Sequence, residues 1–257
     1  MLRQTSRRAT TAIPPGRCGV IGVLGATGGL GASTVSAVLA MRSALSGRST
    51  VLIDGHRHAG GLYILLALDG APGLRWPDLS AARGDLDGPA LLGALPSVRD
   101  CHVLSWGRSR GAAISGFEEV CRGLVSEVAL GVIDLPGAGA EDAPRWWAMC
   151  DHLLLLIGSG VRELASAAVV LDVLQRGDPA PDDPRVMGLL RQHQRAGVTI
   201  DSVSALLGIP MLATLASDRH VDKAVRVGEA MGLRTSPLAQ ACDLVLHSLA
   251  DPLVITG

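Results

Sequence analysis

"GATGGLGASTVS", residues Gly25–Ser36, is the stretch on which the reading of this 257-residue chain turns. An apolar run, "CGVIGVL" from Cys18, precedes it. A run with helical character, "TVSAVLAMRSAL" from Thr34, follows. Strand, glycine-rich turn and helix start in that order make a phosphate site. Glycines let the backbone approach an anion, and the helix N-terminus carries partial positive charge. Yet the stretch contains no lysine. A dinucleotide-binding turn accepts these glycines as they stand, whereas a triphosphate-binding loop ordinarily carries a lysine. The rest of the chain has to decide.

Outside the loop, short apolar runs have the length and composition of buried strands. They are "CGVIGVLG" from Cys18, "STVLIDG" from Ser49, "CHVLSW" from Cys101, "VALGVIDLPG" from Val128, "DHLLLLIGSG" from Asp151, "RVMGLLRQ" from Arg185 and "MLATLAS" from Met211. Helical periodicity fills 33–45, 116–126, 161–174, 200–207, 221–228 and 239–249. Strands alternating with helices predict an α/β fold, a mostly parallel sheet with helices on both faces. The Pro/Gly-rich segment from Asp69, "DGAPGLRWPDLSAARGDLDGPALLGAL", predicts a surface excursion ending in a short helix. Ligands of such sheets lie at the carboxyl ends of the strands. Here those ends, 25–34, 54–61, 134–139, 159–162 and 217–220, all carry glycine or polar residues, which points to one shared crevice.

Composition narrows the function classes. A net charge of -1 gives no overall pull toward nucleic acid or an anionic membrane. Residues 1–16 form a basic tail with Arg3, Arg7 and Arg8, closed by Pro14 and Pro15, and lack the apolar core of a signal peptide. It reads as a flexible solvated tail, with a nucleic-acid or lipid role as the alternative. No apolar run approaches the roughly 20 residues that span a bilayer. The five cysteines are scattered with no C-x-x-C pair, as small core residues of a reduced cytosolic protein. Lys223 is the only lysine and Tyr63 the only tyrosine. A short-chain dehydrogenase would use Gly25, Gly29 and Gly31 at its cofactor, but it also needs a tyrosine followed four residues later by a lysine. Tyr63 and Lys223 cannot form that pair, so an NAD(P)-binding oxidoreductase is a remote alternative.

A phosphate loop of the deviant Walker A type, K-G-G-x-G-K-[ST]-[ST], fits better. Thr27-Gly28-Gly29-Leu30-Gly31-Ala32-Ser33-Thr34 matches every glycine and both hydroxyls, with Thr27 and Ala32 in place of the lysines. The second strand ends in "VLIDGHRHAGGL" from Val51, where Asp54 takes the place of the first aspartate of D-x-D and His56 that of the second. "GVIDLPGAG" from Gly131 ends in Asp134, a Walker B carboxylate. On these three elements, in this order, the chain resembles the MinD/ParA superfamily of P-loop proteins. "APGLRWPDL" and "VLSWGR" narrow the resemblance to its CpaE/TadZ-like branch, close to the actinobacterial CpaE-like, Ssd-type septum site-determining proteins.

That resemblance implies a single domain over 17–257, without the receiver-like domain that often precedes the ATPase in this branch. It implies ATP and Mg²⁺ as ligands. Gly28, Gly29, Gly31, Ala32, Ser33 and Thr34 would surround the phosphates with Asp54 and Asp134, and Ser33 and Asp134 would hold the metal. It also implies a homodimer, partners among cell-division or Tad-type pilus/secretion proteins, no specific nucleic acid, and a cytoplasmic protein whose contact with the membrane is indirect.

The departures matter as much as the matches. Ala32 cannot neutralise β/γ-phosphates, Thr27 cannot reach a partner's phosphates, His56 is a poor substitute for a water-positioning carboxylate, and no arginine lies in the loop. These losses predict weak or absent hydrolysis with binding retained. The alternatives are an active ATPase of the same fold and a nucleotide-free scaffold. Several other residues also invite a role. His56 and His58 have metal-ligand spacing but no third ligand nearby. Trp76, Trp146 and Trp147 suit a partner interface as well as packing. Lys223 suits a solvated helix. The C-terminal "LAQACDLVLHSLADPL" lacks the basic face of a membrane-targeting helix.

Overall fold

The computed structural model describes residues 19–57, 61–107, 114, 116–175, 186–192 and 197–250. The basic tail, His58 and Cys18 lie outside them. Eight strands form one sheet in the order β3-β4-β2-β5-β1-β6-β7-β8. They are β1 (Gly19–Gly25), β2 (Thr50–Asp54), β3 (Ser97–Val98), β4 (Cys101–Leu104), β5 (Leu130–Asp134), β6 (His152–Gly158), β7 (Val186–Arg191) and β8 (Met211–Leu215). Every pairing is parallel except β3 with β4. Seven strands match the sequence reading. The eighth, β3, is two residues long and has no periodicity to detect.

Strand order reverses at β1. From β1 the chain passes over β5 to β2 on one side, while β6 and β7 extend the sheet on the other. Crossovers between parallel strands are right-handed. The helices α1 (Ala32–Leu45) and α6 (Val161–Gln175) therefore lie on opposite faces. α1 buries Val35 and Ala37 to Met41 against β1, β2 and β5, and it packs along α9 (Pro237–Ala250). Arg42 ties the two helices, donating from Nε and Nη2 to the Asp243 carboxylate at 2.8 Å each. Because α1 is buried nearly all round, the loop that launches it is held by the core.

The remaining helices are α2 (Leu62–Leu65), α3 (Gly88–Gly93), α4 (Phe117–Ser126), α5 (Ala143–Trp147), α7 (Ile200–Leu207) and α8 (Arg219–Val227). The segment from Asp69 does run over the surface, most of its residues exposed, and ends in a short helix, α3, but it is anchored in the core. Its 3₁₀ turn, Trp76–Leu79, buries Trp76 completely, and Leu79, Leu91 and Leu95 join the core. An irregular backbone rich in proline and glycine conceals buried side chains from a pattern search. The four cysteines among the described residues, Cys101, Cys121, Cys150 and Cys242, are buried thiols outside any disulfide, and burial pushes the Cys101 thiol up to about 12.

Candidate nucleotide site

The sheet order places the end of β1 beside the end of β5, with the end of β2 next beyond it. Ala26 N–H donates to the Leu156 carbonyl at 2.9 Å, pinning the start of the loop to β6. Gly29 and Gly31 then adopt φ of 84° and 88°, left-handed values that suit glycine alone among common residues. α1 begins at Ala32, with Val35 N–H bonded to the Gly31 carbonyl at 2.9 Å. No side chain caps this terminus, so its N–H groups face the crevice unclaimed by a cap. Beyond their chain neighbours, nothing lies within 4 Å of where a Cβ on Gly28 or Gly29 would stand.

β2 and β5 run in register, so Asp54 sits directly beside Asp134. Both are 1% exposed. Asp134 accepts hydrogen bonds from the hydroxyls of Ser33 and Ser36, the latter at 3.2 Å. Burial raises its pKa to about 7 against those two bonds. Asp54 is also raised to about 7, first by burial and then by the neighbouring Asp134 charge. The backbone N–H groups of His56 at 3.0 Å and Leu62 at 3.3 Å oppose that rise. His56 Nε2 lies 4.0 Å from Asp134 Oδ2, and burial lowers its pKa, so it is a neutral imidazole at pH 7.

These groups line a cavity of about 480 Å³. Gly28, Gly29, Gly31, Ala32, Ser33, Thr34, Asp54 and Asp134 all border it, so the chain brings together every residue that the sequence places there. Ser33, Thr34, Asp54 and Asp134 offer oxygen donors, which suit Mg²⁺. Among the described residues no group of three or more His, Cys, Asp or Glu could hold a metal by itself. An ion here would need phosphate or water oxygens as well, which is how Mg²⁺ is usually bound.

One residue of the site escapes the sequence. Arg191, at the end of β7, donates from Nε to the Leu30 carbonyl at 3.2 Å and from Nη1 to the Ala216 carbonyl at 3.0 Å. A trans peptide points its C=O and the next N–H in opposite directions. Holding the Leu30 carbonyl therefore fixes the direction of the Gly31 N–H at the loop's last turn. Arg191 does not itself border the cavity. It steadies the loop from behind and leaves the missing lysine unreplaced. Its only signal in sequence is a cation ending an apolar strand.

Other candidates resolve differently. Trp76 Nε1–H donates to the Asp54 carbonyl at 2.8 Å and so braces the second carboxylate. Trp146 and Trp147 are 2% and 9% exposed, and Trp146 stacks on Phe117 at 4.2 Å, so packing and not an open interface accounts for them. Lys223 is exposed on α8 and does not border the cavity.

No protein-family model matches the chain. It is 31% identical over 256 residues to the Mycobacterium tuberculosis H37Rv protein described as "Uncharacterized protein Rv3660c", covering 97% of this chain and 69% of that one. The corresponding protein of strain CDC 1551 gives the same figures. Among solved structures it resembles a ParA family ATPase from Chlorobium tepidum, with TM-score 0.77 and 17% identity over 89% of this chain and 98% of that one. It also resembles the septum site-determining protein MinD of Pyrococcus horikoshii complexed with Mg-ADP, with TM-score 0.74 and 18% identity over 93% and 98%. The fold is thus that of the MinD and ParA ATPases.

Proposed function

From its membership of the family of the Mycobacterium tuberculosis protein Rv3660c, we propose that this chain is a nucleotide-gated positioning protein: it binds ATP with Mg²⁺ and hydrolyses it weakly or not at all. One observation carries the reading. The loop is shaped for an anion, with the Ser33 hydroxyl bonded to the buried Asp134 carboxylate beneath it, although both lysines are missing.

In this reading the N–H groups from Gly28 to Thr34 hold the phosphates. Ser33 offers its hydroxyl and Asp134 its carboxylate to the metal. Asp54 orders the segment after β2 through the His56 and Leu62 N–H groups. Bound Mg²⁺ would neutralise part of the charge that phosphates and two carboxylates bring together. A neutral His56 offers no carboxylate to orient a water, and Ala32 offers no cation to a transition state. Binding is supported where turnover is not.

Nucleotide then acts as a ligand that biases dimerisation of two copies. By resemblance the dimer serves septum placement or a Tad-type pilus/secretion apparatus, reaching the inner face of the membrane through a partner. No helix among the described residues is long and apolar enough to cross a membrane. Calorimetric titration with ATP and Mg²⁺, with phosphate release assayed on the same sample, tests the reading. Saturable binding without release is expected. Steady release would make the chain a working ATPase, and no heat at millimolar ATP would leave a scaffold.

A further inference from the structure

The nucleotide crevice is rich in carboxylates and poor in cations. Phosphates entering it would meet Asp54 and Asp134, and among the described residues no arginine or lysine borders it. The cations around it are engaged elsewhere. Arg191 is held by the Leu30 and Ala216 carbonyls, Arg145 by the Glu118 carboxylate, and Arg57 lies over the Trp106 ring at 6.0 Å. Arg219, Lys223 and Arg226 belong to α8, which follows β8, three strands from β1. Arg162 differs. It is exposed in the first turn of α6, directly after β6, the strand beside β1. Among the described residues no ion pair holds it.

Arg162 does not serve its own crevice. It does not border the cavity, and α6 lies on the face of the sheet opposite α1, the helix that the loop launches. It is nonetheless close to the loop's end of the sheet. Neighbouring strands lie about 4.8 Å apart, and Ala26 at the start of the loop bonds to the Leu156 carbonyl of β6. Beside Arg162 stands Val161, 85% exposed, the most exposed large apolar side chain among the described residues. Ala165 and Val169 continue its line one and two turns along α6, both exposed. A surface helix that is apolar on its outer as well as its inner face commonly meets another element. An apolar contact point and an unpaired cation thus share one rim, beside a site that lacks a cation. A two-fold pair of copies sets the same rim of each against the other.

We propose that two copies of this chain pair at the crevice ends of their sheets, with Val161 in the contact and Arg162 of each copy directed at the phosphates held in the other's loop. The assignment rests on the nucleotide reading, since only a filled loop carries the anion that Arg162 would meet. Pairing then depends on nucleotide through charge. With the loops empty, neither guanidinium has a phosphate to bond, and with them filled each copy supplies the cation that the other lacks.

Sedimentation with and without ATP and Mg²⁺ reads the pairing, and calorimetry below the pairing concentration reads binding to a single copy. The parent chain is expected to pass from single copies to pairs when ATP and Mg²⁺ are added. Arg162→Glu should weaken pairing by roughly tenfold or more, the share of a hydrogen bond to a charged group, and Arg162→Lys should recover part of it. Both variants should bind ATP as single copies with the parent's affinity. A mixture separates help across the contact from help within one copy. Gly28→Glu places a carboxylate in the loop where φ is not left-handed and nothing crowds a Cβ, so the chain should fold while its loop repels phosphate. Neither Arg162→Glu nor Gly28→Glu alone should pair at the parent's concentration. Mixed, they should, because the intact loop of one then meets Arg162 of the other. Three results would overturn the assignment while leaving ATP binding in place: a parent that binds ATP and stays single, pairing of Arg162→Glu equal to the parent's, or a mixture that pairs no better than its components. No ATP binding by the parent would overturn the nucleotide reading and this assignment together.

Discussion

Replacing Asp134 by asparagine should stabilise the nucleotide-free protein while destroying its metal site, and the gain should depend on pH in a defined way. The Asp134 carboxyl titrates near 7 in the fold against an ordinary 3.8, with burial as the main cause. Between those values the folded protein holds a proton that the unfolded chain has released. Stability from this group is therefore fully present below about pH 4 and is lost as pH rises through about 7. The difference of about three pH units corresponds to about 4 kcal/mol once the group is ionised. Asparagine carries no such charge, but its amide accommodates the Ser33 and Ser36 hydroxyls less well, a loss of about 1 kcal/mol at every pH. Asp54 adds to the effect in the same direction, because the Asp134 charge that helps to raise its pKa is gone. Urea unfolding of both proteins from pH 4.5 to 8.5, without metal or nucleotide, should show the variant equal or slightly weaker at the acid end. Near pH 8 it should be about 3 kcal/mol stronger. Parallel curves would refute the reasoning, since they would mean that Asp134 is already ionised at pH 4.5. In the same assay at pH 8, Mg²⁺ with ATP should stabilise the parent chain and leave the variant unchanged.

Three further outcomes follow from the same site. Ala32→Lys restores the cation at the start of α1 and should tighten ATP binding about tenfold, an effect of about 1.4 kcal/mol readable by calorimetry; unchanged affinity would show that the loop does not enclose phosphate. Arg191→Met removes the donor behind Leu30 and should weaken ATP binding by roughly five- to tenfold with little loss of thermal stability, whereas Arg191→Lys should recover part of it; equal affinity in all three proteins would show that the loop holds its shape unaided. Trp76→Phe removes the donor to the Asp54 carbonyl from a fully buried position and should cost about 2 kcal/mol in urea unfolding; a neutral result would show that another donor takes its place.

Much of this was legible in the sequence, because the signals are local. Each of the seven longer strands is a run of apolar residues bounded by turn residues, and the loop, Asp54 and Asp134 sit at strand ends where a parallel sheet brings them together. β3 was not legible, since two residues have no period. The burial of Trp76 was hidden by a Pro/Gly-rich surround. Arg191 was hidden for a different reason. Its partner Leu30 lies 161 positions away, and only the reversal of strand order at β1 brings the two into contact. No spacing along the chain encodes that meeting.

Physical cost separates a ligand-gated protein from a vestigial scaffold. Two buried carboxylates side by side, with no cation in the loop facing them, weaken the empty fold at neutral pH. A chain that served only as a frame would be more stable with apolar or amide side chains at both positions. A chain that takes up a divalent cation with nucleotide recovers the cost on binding, because the ion displaces the protons and pairs with the charge. The Ser33 and Ser36 hydroxyls already turned toward Asp134 lower the pKa that burial raises. They keep the group close to ionisation at the pH where a cell would present the metal. The arrangement is unfavourable when empty and favourable when filled, so the two states differ in stability by an amount that ligand concentration can control. Turnover needs a lysine and a positioned water, but a two-state switch needs only this difference.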